Sequence, residues 1–393
     1  MKALRERIQS AIQGGPPLPR GPFERILWAV SRVYGRLLAE RARWYAAGRL
    51  PSWRLPCTVV SVGNITVGGT GKTPMTLRLA RDLADAGIRT AIVSRGYGGA
   101  AEAAGGIVSN GRTLLMDASE SGDEPCMMAE ILLAEQRAVP VVVGRDRYAA
   151  GMQAVDQFAP EVILLDDGFQ HLRVARDLNL LLLDGRTPFG NGHVLPRGSL
   201  REPLSALARA DAVILTRCPP GWRPDAADRD RLPRDARVFR ADHRPLIRRV
   251  IPAGEPANDS PPSTGSADGA AVFAFSGIAR NDAFFQTVDA MGFHVAGRAE
   301  FPDHHPYTPP DLAALSTAAA ASGAAAIATT EKDYARIDRC YRWPLHLFII
   351  GIEMDFGPDE PAFRRFIRQH TGAPRRLASH GIRRCHPPEE TTP

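Results

Sequence analysis

Lysine is almost missing from this chain. Three occur, Lys2, Lys72 and Lys332, which leaves 46 of the 49 basic residues as arginine. Where arginine is the default cation, a retained lysine marks a position that suits a compact ammonium better than a planar fork. Cysteine is sparse too. Cys57, Cys126, Cys218, Cys340 and Cys385 are scattered, odd in number and never arranged as CxxC. That excludes a disulfide framework and a cysteine zinc site, and it points to a reducing compartment. No uncharged run approaches the roughly 20 apolar residues of a simple transmembrane helix. Residues 1–22 lack the apolar core of a secretory signal, so no export signal is expected.

What is present reads as a globular chain. Its 393 residues are 44% hydrophobic and 23% charged, with room for two domains. The formal charge of +6 permits an acidic partner without naming one. Neither a nucleic acid nor an obligate protein partner is expected.

The most informative stretch is Val-Gly-Asn-Ile-Thr-Val-Gly-Gly-Thr-Gly-Lys-Thr-Pro, residues 62–74. It follows an apolar, β-rich run (57–62) and precedes a helical pattern (75–86), the strand–loop–helix layout of a P-loop. Glycines let successive backbone N–H groups curl around phosphate oxygens, and the helix N-terminus adds partial positive charge. The expected nucleotide cradle is Thr66, Val67, Gly68, Gly69, Thr70, Gly71, Lys72 and Thr73. Lys72 reaches the β- and γ-phosphates, and the Thr73 hydroxyl holds Mg²⁺. One position departs from the generic pattern, because Thr66 stands where glycine is usual.

Apolar strands alternate with helices from Cys57 onward. Strands are expected at 58–62, 90–94, 139–144, 162–165, 178–184 and 212–216, with helices such as 74–86 and 124–136 between them. The fold class is therefore α/β, a P-loop NTPase-like, mostly parallel sheet with helices on both faces. A smaller α/β unit follows, with strands at 271–276 and 325–329 and helices at 282–291 and 310–321. Segments 238–250 and 345–354 flank it and are expected to pair as a β-ribbon joining the two. The division is 1–50 for an N-terminal helical region, 51–237 for the P-loop domain, 238–252 for a linker strand and 253–269 for a Pro/Ser/Gly-rich insertion. Then come 270–344 for the smaller domain, 345–370 for a return strand and helix, and 371–393 for a disordered tail.

Residues 23–45 carry Phe23, Ile26, Leu27, Val30, Val33, Tyr34, Leu37 and Leu38 at helical spacing, interleaved with Arg25, Arg32, Arg36, Arg41 and Arg43. Such a helix either lies in the plane of an anionic membrane surface or packs on the protein's own core.

Five motifs carry candidate chemistry. Asp166-Asp167 ends an apolar strand, where a P-loop enzyme keeps the acid that holds Mg²⁺. Asp123, in Gly-Asp-Glu-Pro, either caps a helix or faces the site. Arg201-Glu202 serves phosphate and metal, or is a surface ion pair. In Phe-Pro-Asp-His-His-Pro-Tyr (301–307) adjacent histidines point apart, which favours one histidine partnered with an aspartate over a metal site. Lys332, in Thr-Thr-Glu-Lys-Asp (329–333), either fills a position that needs lysine or is a surface residue.

These motifs together with Ser-Arg-Gly-Tyr-Gly (94–98) resemble, in order and over about residues 23–356, the tetraacyldisaccharide 4'-kinase (lipid A 4'-kinase) family of Gram-negative bacteria. That family tends to carry Ser or Thr at the Thr66 position. The resemblance implies transfer of the ATP γ-phosphate to the 4'-hydroxyl of a tetraacylated glucosamine disaccharide 1-phosphate, giving lipid IVA. The reaction is placed at the cytosolic face of the inner membrane, which favours the membrane reading of the N-terminal helix. The resemblance also implies a catalytic dyad of Asp123 and His304 acting with Lys72. Thr73, Asp166, Asp167 and Glu202 would hold Mg²⁺, and Arg95, Arg145, Arg147, Gln170, His171 and Arg201 would bind substrate. The alternative is a P-loop ATPase or GTPase switch of the partitioning or metallochaperone type. Those carry a second lysine just before the paired glycines, where this chain has Val67.

Overall fold

Runs such as Val-Ile-Leu-Leu (162–165) have no polar face, so they fit only a sheet covered on both sides. The computed structural model describes residues 21–219, 221–256 and 269–372, and builds that sheet. Helix α1 (Pro22–Ala46) leads into β1 (Thr58–Asn64), α2 (Lys72–Asp85), β2 (Thr90–Ser94), β3 (Gly106–Ser109), α3 (Ala118–Ser121) and α4 (Asp123–Ala134). Then follow β4 (Val141–Val143), α5 (Arg147–Phe158), β5 (Val162–Asp166), β6 (Leu178–Asp184), β7 (Ala212–Thr216), α6 (Ala226–Arg231) and β8 (Arg237–Arg240). The strand order is β3-β4-β2-β5-β1-β6-β7-β8, parallel throughout except for the β3–β4 edge pair.

Alternate residues of the central strands feed different cores. Val60, Val62, Leu164 and Leu180 pack with α2 and α4, whereas Val59, Ile163 and Leu165 pack with α5. The P-loop strand β1 lies between β5 and β6, with Val62 in register with Asp166. The acid at the end of β5 is thereby brought beside the start of the phosphate loop, at the carboxyl edge where such sheets bind ligands.

The second sheet has the order β11-β10-β12-β13-β9. Its elements are β9 (Asp242–Ile251), β10 (Ala271–Ser276), α7 (Asn281–Ala290), β11 (His294–Glu300), α8 (Pro309–Ala321), β12 (Ala326–Thr330), α9 (Glu331–Tyr334) and β13 (His346–Asp355). β9 and β13 pair antiparallel from Asp242–Asp355 to Ile251–Leu347, the ribbon the sequence suggested. The expected single strand at 238–250 is in fact two. β8 closes the large sheet and β9 edges the small one, with only Ala241 between them. The Ala241 backbone exchanges hydrogen bonds with Leu215 and Cys218, so its polar groups are satisfied where the chain changes sheets. After β13 the chain returns to the large sheet. Helix α10 (Glu360–Thr371) stacks Phe363 on Phe356 at 4.0 Å, in the core that also holds Met75 and Leu79 of α2.

Residues 257–268 of the expected insertion, residues 373–393 of the expected tail, and residues 1–20 lie outside the described residues, and Cys385 with them.

Candidate active site

The loop between β1 and α2 needs glycine at two places. Gly68 and Gly71 have φ of 112° and 86°, a region that L side chains rarely adopt. A Cβ at Gly71 would also collide with Nε2 of His243, which reaches the loop from β9. The loop is pinned from several sides. Asn64 Nδ2 donates to Thr70 Oγ1 at 3.0 Å, and the Val67 amide donates to the Ser199 carbonyl at 2.7 Å. Thr66 bridges to Leu200, and Arg217 donates to the Gly69 carbonyl. Lys72 and Thr73 open α2, with the Thr73 side chain buried.

Asp166 and Asp167 have opposite surroundings. Asp166 is buried, accepts from Thr76 Oγ1 at 2.9 Å and from Ser94 Oγ at 3.4 Å, and has no cation in direct contact among the described residues. Burial, reinforced by the nearby charges of Glu124 and Asp167, pushes its carboxyl up to about 7. Asp167 is held in the left-handed region at φ 47°. Arg201 contacts both its oxygens at 2.9 and 3.0 Å, and Lys72 Nζ lies 3.9 Å away. Burial alone would raise Asp167, but Lys72, Arg201 and Arg147 outweigh it and hold the carboxyl below its usual range. Arg201 also donates to Asn64 at 3.2 Å, so one guanidinium spans the acid and the P-loop strand.

Arg201 and Glu202 face different partners. Glu202 accepts from Arg209 at 2.7 Å, with that guanidinium 4.6 Å from the Phe169 ring. Gln170 donates to the Asn64 carbonyl at 2.7 Å, and its buried Oε1 has no partner among the described residues. His171 is pushed down to about 4, by burial first and then by Arg147. Burial lowers Arg147 to about 10 against the pull of Asp166 and Asp167, and its guanidinium donates to the Gly144 carbonyl at 2.9 Å. Arg95 pairs with Glu102 at 2.7 Å beside the exposed Tyr97, and Arg145 is exposed.

Asp123 and His304 meet although 181 positions separate them: His304 Nδ1 lies 2.7 Å from Asp123 Oδ2. Asp123 is the first residue of α4, where a helix end favours a carboxylate. His304 sits at φ 61°, a strained setting for a non-glycine residue and one that recurs at functional sites. The neighbouring His305 turns away to Asp311 at 3.1 Å, so the two histidines do point apart. Lys332 lies 3.4 Å from Glu124 and 3.9 Å from Asp303, facing this pair rather than open solvent.

Several residues at the site went unassigned in the sequence: Asn64, Thr76, Ser94, Arg217, His243 and Arg336. Asn64 lay inside the quoted P-loop stretch and Ser94 opened the quoted Ser-Arg-Gly-Tyr-Gly motif, signals that were available. The others are polar residues whose partners come from distant segments.

Helix α1 has three faces. Leu27, Ser31 and Gly35 are buried, with Ser31 donating to the Val194 carbonyl. Ile26, Val30, Val33, Tyr34, Leu37 and Trp44 are exposed, Leu37 at 64% and Ile26 at 63%. At 3.6 residues per turn, Arg25, Arg32, Arg36 and Arg43 form a separate stripe. Among the described residues no helix is long and apolar enough to cross a membrane.

A model of the family described as Tetraacyldisaccharide-1-P 4'-kinase matches residues 23–372. The chain belongs to this family. It is 42% identical to the tetraacyldisaccharide 4'-kinase of Desulfatibacillum aliphaticivorans over 361 residues, covering 91% of this chain and 95% of that one. To that of Pelobacter propionicus it is 43% identical, covering 80% and 84%. A crystal structure of LpxK from Aquifex aeolicus in complex with ATP aligns with a TM-score of 0.68 at 29% identity, covering 89% of this chain and 99% of that one. Membership of the tetraacyldisaccharide 4'-kinase family overrides the nucleotide-switch alternative.

Proposed function

We infer that the chain is an ATP-dependent kinase that transfers the γ-phosphate to the 4'-hydroxyl of a tetraacylated glucosamine disaccharide 1-phosphate, giving lipid IVA. The observation that carries the chemistry is the 2.7 Å contact of His304 with Asp123, near a P-loop whose lysine is paired to an acid. Phosphoryl transfer to an alcohol is mostly positioning and charge stabilisation. The 66–73 loop and Lys72 hold the phosphates. Asp123 takes the hydroxyl proton, and His304 orients and supports it. The large sheet (51–237) carries the nucleotide and the smaller unit (270–344) supplies His304, so bringing the units together assembles the base.

The residues present fit a Mg²⁺ ion. Thr73 and Thr76 lie three apart on one face of α2, and Thr76 already touches Asp166, a buried carboxylate with no cation in contact among the described residues. Among the described residues no three acids, histidines or cysteines form a metal cage, and Mg²⁺ needs none, since it is held by one or two carboxylates plus phosphates and water. Thr73 and Asp166 would hold it, with Asp167 beside them, while Glu202 is engaged by Arg209. When bound, Mg²⁺ neutralises charge on the β- and γ-phosphate oxygens. Arg147, Gln170, His171 and Arg201 line the substrate side, with Arg95 and Arg145 further out.

A lipid acceptor needs a kinase at a membrane surface. On this reading α1 lies in the anionic cytoplasmic face of the inner membrane, its exposed apolar stripe buried in the interface and its arginines at the headgroups. The deciding experiment incubates purified protein, ATP and purified disaccharide 1-phosphate and determines where the new phosphate is. A 4'-phosphate supports the function; acceptor-independent ATP hydrolysis without it rejects the function.

A further inference from the structure

The Thr-Thr-Glu-Lys-Asp segment and the turn after it are not explained by phosphate binding. Asp333 is fully buried and gathers three donors, the Gly277 amide at 2.9 Å, Tyr307 Oη at 3.0 Å and Thr330 Oγ1 at 2.6 Å. It also lies 3.6 Å from Arg336 Nη1. That guanidinium donates to the carbonyls of His305 at 3.2 Å and Gly277 at 3.4 Å. The Gly277 carbonyl in turn accepts from the His304 amide at 3.2 Å. The side chain of Arg336 is 6% exposed, and its Nε lies 2.9 Å from Asp123 Oδ2, a close ion pair whose N–H is not aligned as a hydrogen bond.

We propose that Arg336 is a positioning residue for the base, locking Asp123 against His304 and selecting which carboxylate oxygen receives the proton. His304 and Arg336 both address Oδ2, which leaves Oδ1 as the oxygen for the acceptor hydroxyl. The same guanidinium grips the His305 carbonyl and the Gly277 carbonyl to which the His304 amide donates, so one side chain sets the geometry of both partners. Asp333 holds Arg336 in turn, which gives the Thr-Glu-Lys-Asp motif its role. Two further pairs keep α4 in line with this segment: Lys332 with Glu124 at 3.4 Å and Arg339 with Glu130 at 2.5 Å. The inference rests on the proposed role of Asp123 as base.

The titratable and charged groups around Asp123 are Glu124 on its own helix, Tyr97 after β2, Asp303 and His304 after β11, and Lys332, Asp333 and Arg336 from α9 onward. Among the described residues only Arg336 is a fixed cation in contact with the carboxylate. Its loss removes both a charge and a constraint.

The test compares full-length Arg336→Gln, Arg336→Lys and Asp123→Asn with the parent in the phosphorylation assay, with ATP affinity measured separately. Arg336→Gln should lose about 100-fold in kcat, the scale of an ångström-sized misplacement of a reacting group. ATP affinity and the KM for ATP should hold, so that the loss falls on kcat alone. Arg336→Lys keeps the charge but not the fork, so it should recover only part of the kcat lost in Arg336→Gln. If Arg336→Gln fails to bind ATP, Arg336→Lys decides by its kcat. Wild-type kcat in Arg336→Gln, or no recovery of kcat in Arg336→Lys, with Asp123→Asn inactive, would assign Arg336 to the interface alone and overturn the inference. Normal turnover in Asp123→Asn would instead overturn the dyad reading itself.

Discussion

The Thr76 hydroxyl donates to Asp166 at 2.9 Å, tying the second turn of the P-loop helix to the end of β5. Among the described residues its loss would leave Asp166 with only the longer contact to Ser94 at 3.4 Å. A buried acceptor deprived of its donor costs about 1–3 kcal/mol. Thr76→Val should therefore lower the thermal midpoint of the nucleotide-free protein by several degrees, whereas Thr76→Ser, which keeps the donor, should lower it less. Equal midpoints in the two variants would show that the hydrogen bond contributes nothing.

On the proposed reading, Lys72 and Thr73 act where charge develops. Lys72→Ala and Thr73→Ala should each reduce kcat by roughly 10²- to 10³-fold, the scale of a single preorganised electrostatic contact. Steady-state kinetics with the lipid acceptor checks this. Near-normal turnover in either variant would mean that the phosphates bind elsewhere.

Much of the frame was legible because its strands are apolar on both faces. β2, β6, β7 and β10 begin and end where the apolar runs do. The unanticipated strands have no such signal: β3 is a four-residue antiparallel edge, and most of β11 is half-exposed or exposed. The split of 238–250 into β8 and β9 was hidden because residues on both sides of Ala241 are equally strand-like. In the site, motif residues stood out because glycine and lysine are retained for specific work. Arg336 did not stand out, being one arginine among 46. Its meaning comes from the approach of α4, which no local pattern records.

His243 predicts a pH dependence of stability. Burial, then Arg217, pushes its imidazole down to about 4 from an ordinary 6.5. The folded state keeps it neutral while the unfolded chain protonates, so stability is full above about pH 6.5 and falls as pH drops toward 4. Thermal midpoints of His243→Gln should vary less over that window than those of the parent. His171, also lowered to about 4, gives the parent a second contribution of the same sign. An unchanged slope in His243→Gln would contradict the burial argument.

The membrane reading predicts a separation of stability from binding. Ile26, Val30 and Leu37 are exposed, so changing all three to Ser should leave the thermal midpoint nearly unchanged. The same variant should lose co-sedimentation with anionic vesicles. Replacing Arg25, Arg32, Arg36 and Arg43 by Gln should weaken binding most at low salt, where attraction to anionic lipid is least screened. Undiminished vesicle binding in the triple variant would reject α1 as the membrane-facing element.

The central claim is that Asp123 and His304 act as one unit on one proton. Its most direct measurement is a double-mutant cycle in kcat, with ATP affinity followed in parallel. Residues that act together are strongly non-additive. Asp123→Ala combined with His304→Ala should cost little more than the worse single change, with ATP affinity unaltered, because neither residue belongs to the phosphate loop. Losses in log kcat that simply add, or a primary loss of ATP affinity in either variant, would contradict the dyad.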